Sequence, residues 1–225
     1  MSLKLTPVSV ENATSLANAV YEAVLQGIMS GRLTPGMVLS EVALAKQLQV
    51  SRTPVHDALR QLAKDGVVEQ SMGRRARVAR FTRDDLFEIF ELRKFLEGPA
   101  AELAAGRMDH RQIGPLRAMA DELAADTAAL DWLQRWIAFD EVFHNTIAES
   151  SGNRRLAHAI NRYRLVHRGF NPLNTNAESL QQALREHCVI LDALVARDGV
   201  RAREAMVQHI SAWQQYFVER FPYQG

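Results

Sequence analysis

Residues 39–80 read LSEVALAKQLQVSRTPVHDALRQLAKDGVVEQSMGRRARVAR. Two short helical patterns lie here, separated by a tight turn. Ser40 is placed to cap the first, whose apolar positions are Val42, Leu44, Ala45 and Leu48. Val50 reads as the buried residue of the turn. Ser51 or Thr53 caps the second helix, and Pro54 sits near its first turn, where a missing N–H costs little. Val55, Ala58, Leu59 and Leu62 form its apolar face, and Gly66 ends it. Val67 and Val68, and residues 76–79, are short runs able to pair as strands around a tip at Met72, Gly73 and Arg74. The pattern predicts a winged helix-turn-helix whose second helix is shaped for a DNA major groove.

The charge distribution fits that expectation. The 225-residue chain carries a formal net charge of only +1, yet residues 51–83 hold eight basic and three acidic side chains. One basic patch on an otherwise balanced protein suits a polyanionic partner. A hydrophobic content of 47% argues against disorder. A single cysteine, Cys188, rules out an intramolecular disulfide and fits a reducing compartment. The N-terminal residues lack the charged-then-apolar order of a signal peptide, and no run approaches about 18 apolar residues. The expectation is a cytoplasmic protein without a membrane span.

A helix is expected over 11–30, ahead of the helix-turn-helix, so that a DNA-binding domain occupies 1–80. From residue 81 no strand pattern appears. Residues 81–225 read as a mainly α domain, an antiparallel bundle of about six helices near 82–105, 109–127, 130–150, 153–168, 176–197 and 199–220. Gly106, Gly114 with Pro115, residues 151–153, Asn171 with Pro172, and Asp198 with Gly199 are the expected breaks.

Asp140 and His144 lie one turn apart on one helix, beside Trp136, Phe143 and Ile147. His187 falls in a stripe with Leu180, Leu184, Leu191 and Leu194, and His209 lies between Met206 and Trp213. A single inward histidine is ordinarily a satisfied core residue. Three imidazoles and a carboxylate aimed into one core are either that, four times over, or ligands of a divalent metal such as Zn, Ni, Mn or Fe. Arg93 shares an inward stripe with Leu86, Ile89, Leu96 and Ala100. A buried guanidinium cannot shed its charge, so it either clamps an anionic ligand or pairs with a glutamate of the bundle. His158 and His167 lie on an arginine-rich helix and read as solvated.

The segment L-S-E-x-x-L-A-x-x-L-x-V-S-R-T-P-V over 39–55, with A-L-x-x-L-x-x-x-G-x-V after it, resembles the GntR family of bacterial transcription regulators. Asp140-x-x-Phe143-His144, Ser151-Gly152-Asn153, Glu186-His187 and His209 resemble the metal motif of that family's FadR-type subfamily, whose all-α FCD domain binds the ligand. Six helices resemble its VanR-like branch. The resemblance implies a homodimer on a pseudo-palindromic double-stranded DNA operator, modulated by a small carboxylate effector bound near the metal. It implies DNA contacts from Ser51, Arg52, Thr53, His56, Arg60 and the wing residues Gly73, Arg74, Arg75 and Arg77. It also implies metal ligation by Asp140, His144, His187 and His209, with Arg93 at the effector. One departure stands out: the family has Arg-Glu after T-P-V, and this chain has His56-Asp57. Histidine cannot reproduce the bidentate arginine contact to guanine. Either the operator differs, or Arg60 and the wing arginines carry more of the affinity, or the position tolerates the change.

A ligand-responsive repressor is not the one function such residues permit; that class is weighed against a mononuclear metal-dependent enzyme on a helical bundle and a constitutive DNA-binding protein with a structural metal. The enzyme reading lacks a general base beside the four ligands and leaves the basic winged helix unexplained.

Overall fold

The computed structural model describes residues 13–70, 75–80, 82–168 and 175–220. They divide into two compact units, one of residues 13–82 with the stretch from Leu165, the other of 83–164 with 175–220.

In the first unit, α1 (Ala13–Met29), α2 (Glu41–Leu48) and α3 (Arg52–Lys64) precede two short antiparallel strands, β1 (Val68–Glu69) and β2 (Arg77–Val78), paired Val68 to Val78 and Glu69 to Arg77. Residues 37–39 add a third edge piece, which the sequence pattern did not suggest. The Leu39 N–H donates to Ala76 O at 2.8 Å, and the Val78 N–H donates to Met37 O at 2.9 Å. Val20, Val24, Leu39, Leu44, Leu48, Val55, Leu59, Leu62 and Val78 are buried and form the core.

The caps follow residue chemistry. Ser40 Oγ accepts from the Ala43 N–H, and Gln49 ends α2 in the left-handed region at φ 57°. Ser51 is the N-cap of α3 by backbone conformation but makes no side-chain cap bond, and Thr53 lies inside the helix. Gly66 follows α3 at φ +84°, a conformation that favours glycine. Two expectations fail. Val42 is 61% exposed, because it lies about 200° around the helix from Leu44, away from the inward face of an eight-residue helix. Val50 is half-buried rather than buried.

The second unit has helices and connecting turns but no strand among its described residues: α4 (Arg83–Ala105), α5 (His110–Ala125), α6 (Trp132–Ser150), α7 (Arg154–Arg168, which belongs to this unit as far as Arg164), α8 (Ala177–Val195) and α9 (Gly199–Arg220). Gly114 and Pro115 do not break the chain but lie inside α5. Asp109 and Gln112 close a capping box at its start, and a proline this near the N-terminus removes a single helical bond. α4 packs along α9, and Gly98 marks a tight point of that contact: a Cβ there would lie 2.8 Å from Val207 Cγ2. Phe90, Trp136, Phe139, Phe143, Leu191, Met206 and Trp213 are among the buried residues of the shared core. The tryptophans are thus core residues, with Trp132 buried alongside.

The inward stripe of α4 departs from the expected one at two of its five positions, each displaced by one residue. Phe90 and Glu97, not Ile89 and Leu96, are buried alongside Leu86, Arg93 and Ala100. The second of these displacements puts an acidic residue, rather than a leucine, beside Arg93.

Candidate functional site

Three helices deliver imidazoles to one point inside the bundle. His144 on α6, His187 on α8 and His209 on α9 are all buried, each on the inward face of its helix. His187 Nε2 lies 3.3 Å from His144 Nε2 and 3.2 Å from His209 Nε2. Aromatic side chains wall the group: the Phe143 ring centroid is 4.3 Å from that of His187, and Phe139 meets the same ring edge-on.

Two of the three rings are held by carboxylates on their far side. His144 Nδ1 donates to Glu97 Oε2 at 2.6 Å, and His209 Nδ1 donates to Glu186 Oε2 at 2.8 Å. A carboxylate only accepts, so each Nδ1 carries the proton, and in the neutral ring the Nε2 lone pair is left facing the centre. His187 differs, since its Nδ1 is buried without a hydrogen-bond partner among the described residues. Burial pushes the His144 and His187 imidazoles well below the ordinary histidine range, with the Arg164 guanidinium adding for His144 and His209 adding for His187. Both rings are therefore neutral near pH 7.

Asp140 stands beside this triad rather than as an equal member of it. Its Oδ1 is 3.7 Å from both His144 Nε2 and His187 Nε2. Its Oδ2 accepts from Arg164 Nη2 at 2.7 Å. Histidines 144, 187 and 209 are thus a group with metal-ligand geometry, and Asp140 is a neighbouring carboxylate that one arginine already engages.

Arg93 is buried and its Nε donates to Glu97 Oε1 at 2.8 Å, while its Nη1 has no hydrogen-bond partner among the described residues. The glutamate pairing weighed from the sequence is therefore present, and part of the guanidinium is left over. Glu97 is the hub: it joins Arg93 and His144 and lies 3.8 Å from Arg164 Nη1.

Glu97 and Arg164 were missed as parts of the site, and Glu186, quoted from the sequence as part of the metal motif, was given no role there. Glu97 lies four residues after Arg93, so it was findable from helical spacing. Arg164 was not, because α7 reads as solvated. His158 is indeed exposed, but Arg164 on the same helix is buried.

In the first unit, Ser51, Arg52, Thr53, His56 and Arg60 are all exposed along α3, and Arg75 and Arg77 are exposed near β2. Gly73 and Arg74 lie outside the described residues. Sequence reasoning also missed Glu41. Its Oε1 accepts from His56 Nδ1 at 2.9 Å, and its Oε2 accepts from Arg52 Nη2 at 3.3 Å.

No helix among the described residues is long and apolar enough to cross a membrane. Residues 16–78 match the bacterial regulatory proteins of the gntR family, and residues 88–212 match the FCD domain. The chain is 29% identical over 200 residues to a probable D-xylose utilization operon transcriptional repressor of Paenarthrobacter nicotinovorans, covering 89% of this chain and 88% of that protein. It is 26% identical over 200 residues to the HTH-type transcriptional repressor GlaR of Escherichia coli K12, covering 84% and 90% of the two chains. The solved structure of E. coli McbR/YncC shares the fold, with a TM-score of 0.73 over 92% of this chain and 100% of that one, at 23% identity. By its winged helix-turn-helix, its helical bundle and these matches, the chain belongs to the GntR family of bacterial transcription regulators, with an FCD domain as its C-terminal part.

Proposed function

We propose that this regulator is a cytoplasmic repressor that binds a pseudo-palindromic operator as a homodimer, and that a small carboxylate, bound beside a divalent metal in the bundle, changes its operator affinity. The carrying observation is the convergence of three Nε2 atoms, two with lone pairs aimed inward by carboxylates. Imidazole nitrogens about 2.0–2.1 Å from one first-row metal, at tetrahedral to octahedral angles, stand roughly 2.8–3.4 Å apart. The 3.2 and 3.3 Å separations fit that range. His144, His187 and His209 would hold the ion, with Asp140 Oδ1 available as a further oxygen ligand. Imidazole and carboxylate donors suit Zn, Ni, Mn or Fe.

The charge balance favours an anionic effector. Glu97 and Asp140 pair with Arg93 and Arg164, and Glu186 backs His209, so the five charged groups around the imidazoles carry a net single negative charge. A bound dication would turn that into a net single positive charge, which one further carboxylate would cancel. The unsatisfied Arg93 Nη1 is a donor such a carboxylate could use. The metal's chemistry here would be that of a Lewis acid attracting the effector's oxygens.

Ser51, Arg52, Thr53, His56 and Arg60 on α3 would meet the major groove, with Gly73, Arg74, Arg75 and Arg77 of the wing close to the backbone. An effector that binds one arrangement of the dimer better than another shifts operator affinity by the difference, and couplings of about 1–3 kcal/mol give about 5- to 150-fold. The repressor names of the two relatives support the sign of regulation.

The test uses the full-length protein, chelator-treated and then reloaded with single metals. Binding to an operator selected from random duplex DNA is measured with and without a panel of small organic and sugar acids. His187→Ala is expected to bind DNA but to lose metal and acid response together. A response that survives metal loss would sink the metal-linked reading. Metal binding without any acid response would point to a structural ion.

A further inference from the structure

The His56 departure has a partner in the structure. Glu41 opens α2, where a negative charge is favoured by the helix dipole, and its side chain is only 25% exposed. The hydrogen bond from His56 holds its carboxyl below the ordinary glutamate range; burial opposes this and Arg52 assists it. One carboxylate thus brackets two residues of α3, His56 through Oε1 and Arg52 through Oε2.

We infer that Glu41 sets the base preference of α3 by holding His56 with its proton on Nδ1, so that Nε2 accepts a hydrogen bond and reads an exocyclic amino group of adenine or cytosine. In a neutral imidazole one nitrogen donates and the other accepts. A carboxylate accepts only, so the Nδ1 contact assigns the two roles. In the major groove the amino donors are adenine N6 and cytosine N4, whereas guanine shows two acceptors, the pair that arginine reads. Histidine beside Glu41 therefore presents an acceptor suited to an amino group, where an arginine at this position would present donors suited to guanine. Glu41 touches no base in this scheme and is a positioning residue. The inference rests on the reading of α3 as the helix that enters the groove.

The experiment selects binding sites from a randomised duplex library with the full-length protein at about pH 8, where an ordinary imidazole is neutral. Four variants run in parallel. His56→Ala is expected to flatten one position per half-site and so to mark it. At that position the wild-type protein should prefer adenine or cytosine over guanine by about 2- to 13-fold, the span of one ordinary hydrogen bond. Glu41→Ala should lose that preference while the rest of the selected site persists. Glu41→Gln should retain it, since the amide oxygen still accepts from Nδ1–H. His56→Arg should move the preference to guanine. Guanine preferred by the wild type, a profile that Glu41→Ala leaves intact, or no position altered by His56→Ala would each overturn the inference. A wild-type protein that enriches no sequence would instead overturn the groove reading of α3, and this inference with it.

Discussion

Glu97 Oε2 accepts a 2.6 Å hydrogen bond from His144 Nδ1 across 47 residues of sequence, inside the bundle and away from water. The same carboxylate neutralises Arg93. Its removal should therefore act on two groups at once. Glu97→Ala leaves a buried guanidinium without its carboxylate, and the expected loss is about 3–5 kcal/mol of stability. Glu97→Gln keeps shape and one acceptor oxygen, and its clearer effect should be on metal affinity, lowered about 10- to 100-fold. Urea unfolding and metal titration of the two variants separate these effects. Wild-type metal affinity in Glu97→Gln would show that the carboxylate does not orient His144 for binding.

Chelator-treated protein should lose stability on acidification. Burial lowers the imidazole pKa of His144 and His187 in the folded state, whereas in the unfolded chain they titrate near about 6.5. Below that pH the unfolded state binds more protons. The stabilisation is thus fully present above about pH 6.5 and is lost as pH falls toward the depressed folded-state values, at up to about 1.4 kcal/mol per pH unit for each ring. Urea midpoints at pH 7.5, 6.5 and 5.5 check this; a midpoint unchanged from 7.5 to 5.5 contradicts it.

Metal removal should lower thermal stability by linkage. With free metal at about 1,000 times its dissociation constant, binding adds roughly 4 kcal/mol. Calorimetry with and without chelator should show the difference in wild type, and it should vanish in His209→Ala. A chelator effect of equal size in that variant would place the ion elsewhere.

Gly98→Ala should be destabilising although alanine is the better helix former. The added methyl would press on Val207 where α4 crosses α9. Overpacking of this kind costs about 1–3 kcal/mol. Val207→Ala in the same chain should recover part of the loss, and thermal unfolding of the single and double variants reads the coupling directly. An undiminished melting temperature in Gly98→Ala would mean that the two helices separate freely.

Much of the fold was legible because its signals are local. The 3.6-residue stripes of α6, α8 and α9 placed His144, His187 and His209 on inward faces, and Ser40, Gly66 and Asp109 sit at helix ends for reasons of short-range hydrogen bonding and backbone conformation. The stripe on α4 was misread at two of its five positions. Isoleucine and leucine at 89 and 96 outweighed a glutamate at 97 that is buried only because Arg93 and His144 neutralise and satisfy it. Arg164 was hidden for the same reason: nothing on its own helix explains its burial, and its partner Asp140 is 24 residues away. Local chemistry likewise gave no sign that Glu41 faces His56, because that contact crosses the turn between two helices.

The sequence by itself determined the class of fold, the inward placement of three histidines and the exposure of the α3 cations, all consequences of periodicity along single helices. Only the tertiary structure decided which nitrogen of each ring faces its neighbours, which carboxylates support His144 and His209, and that Asp140 is shared with Arg164. Those features depend on the rotation of each helix about its own axis, which is set by packing of the whole core rather than by any one segment.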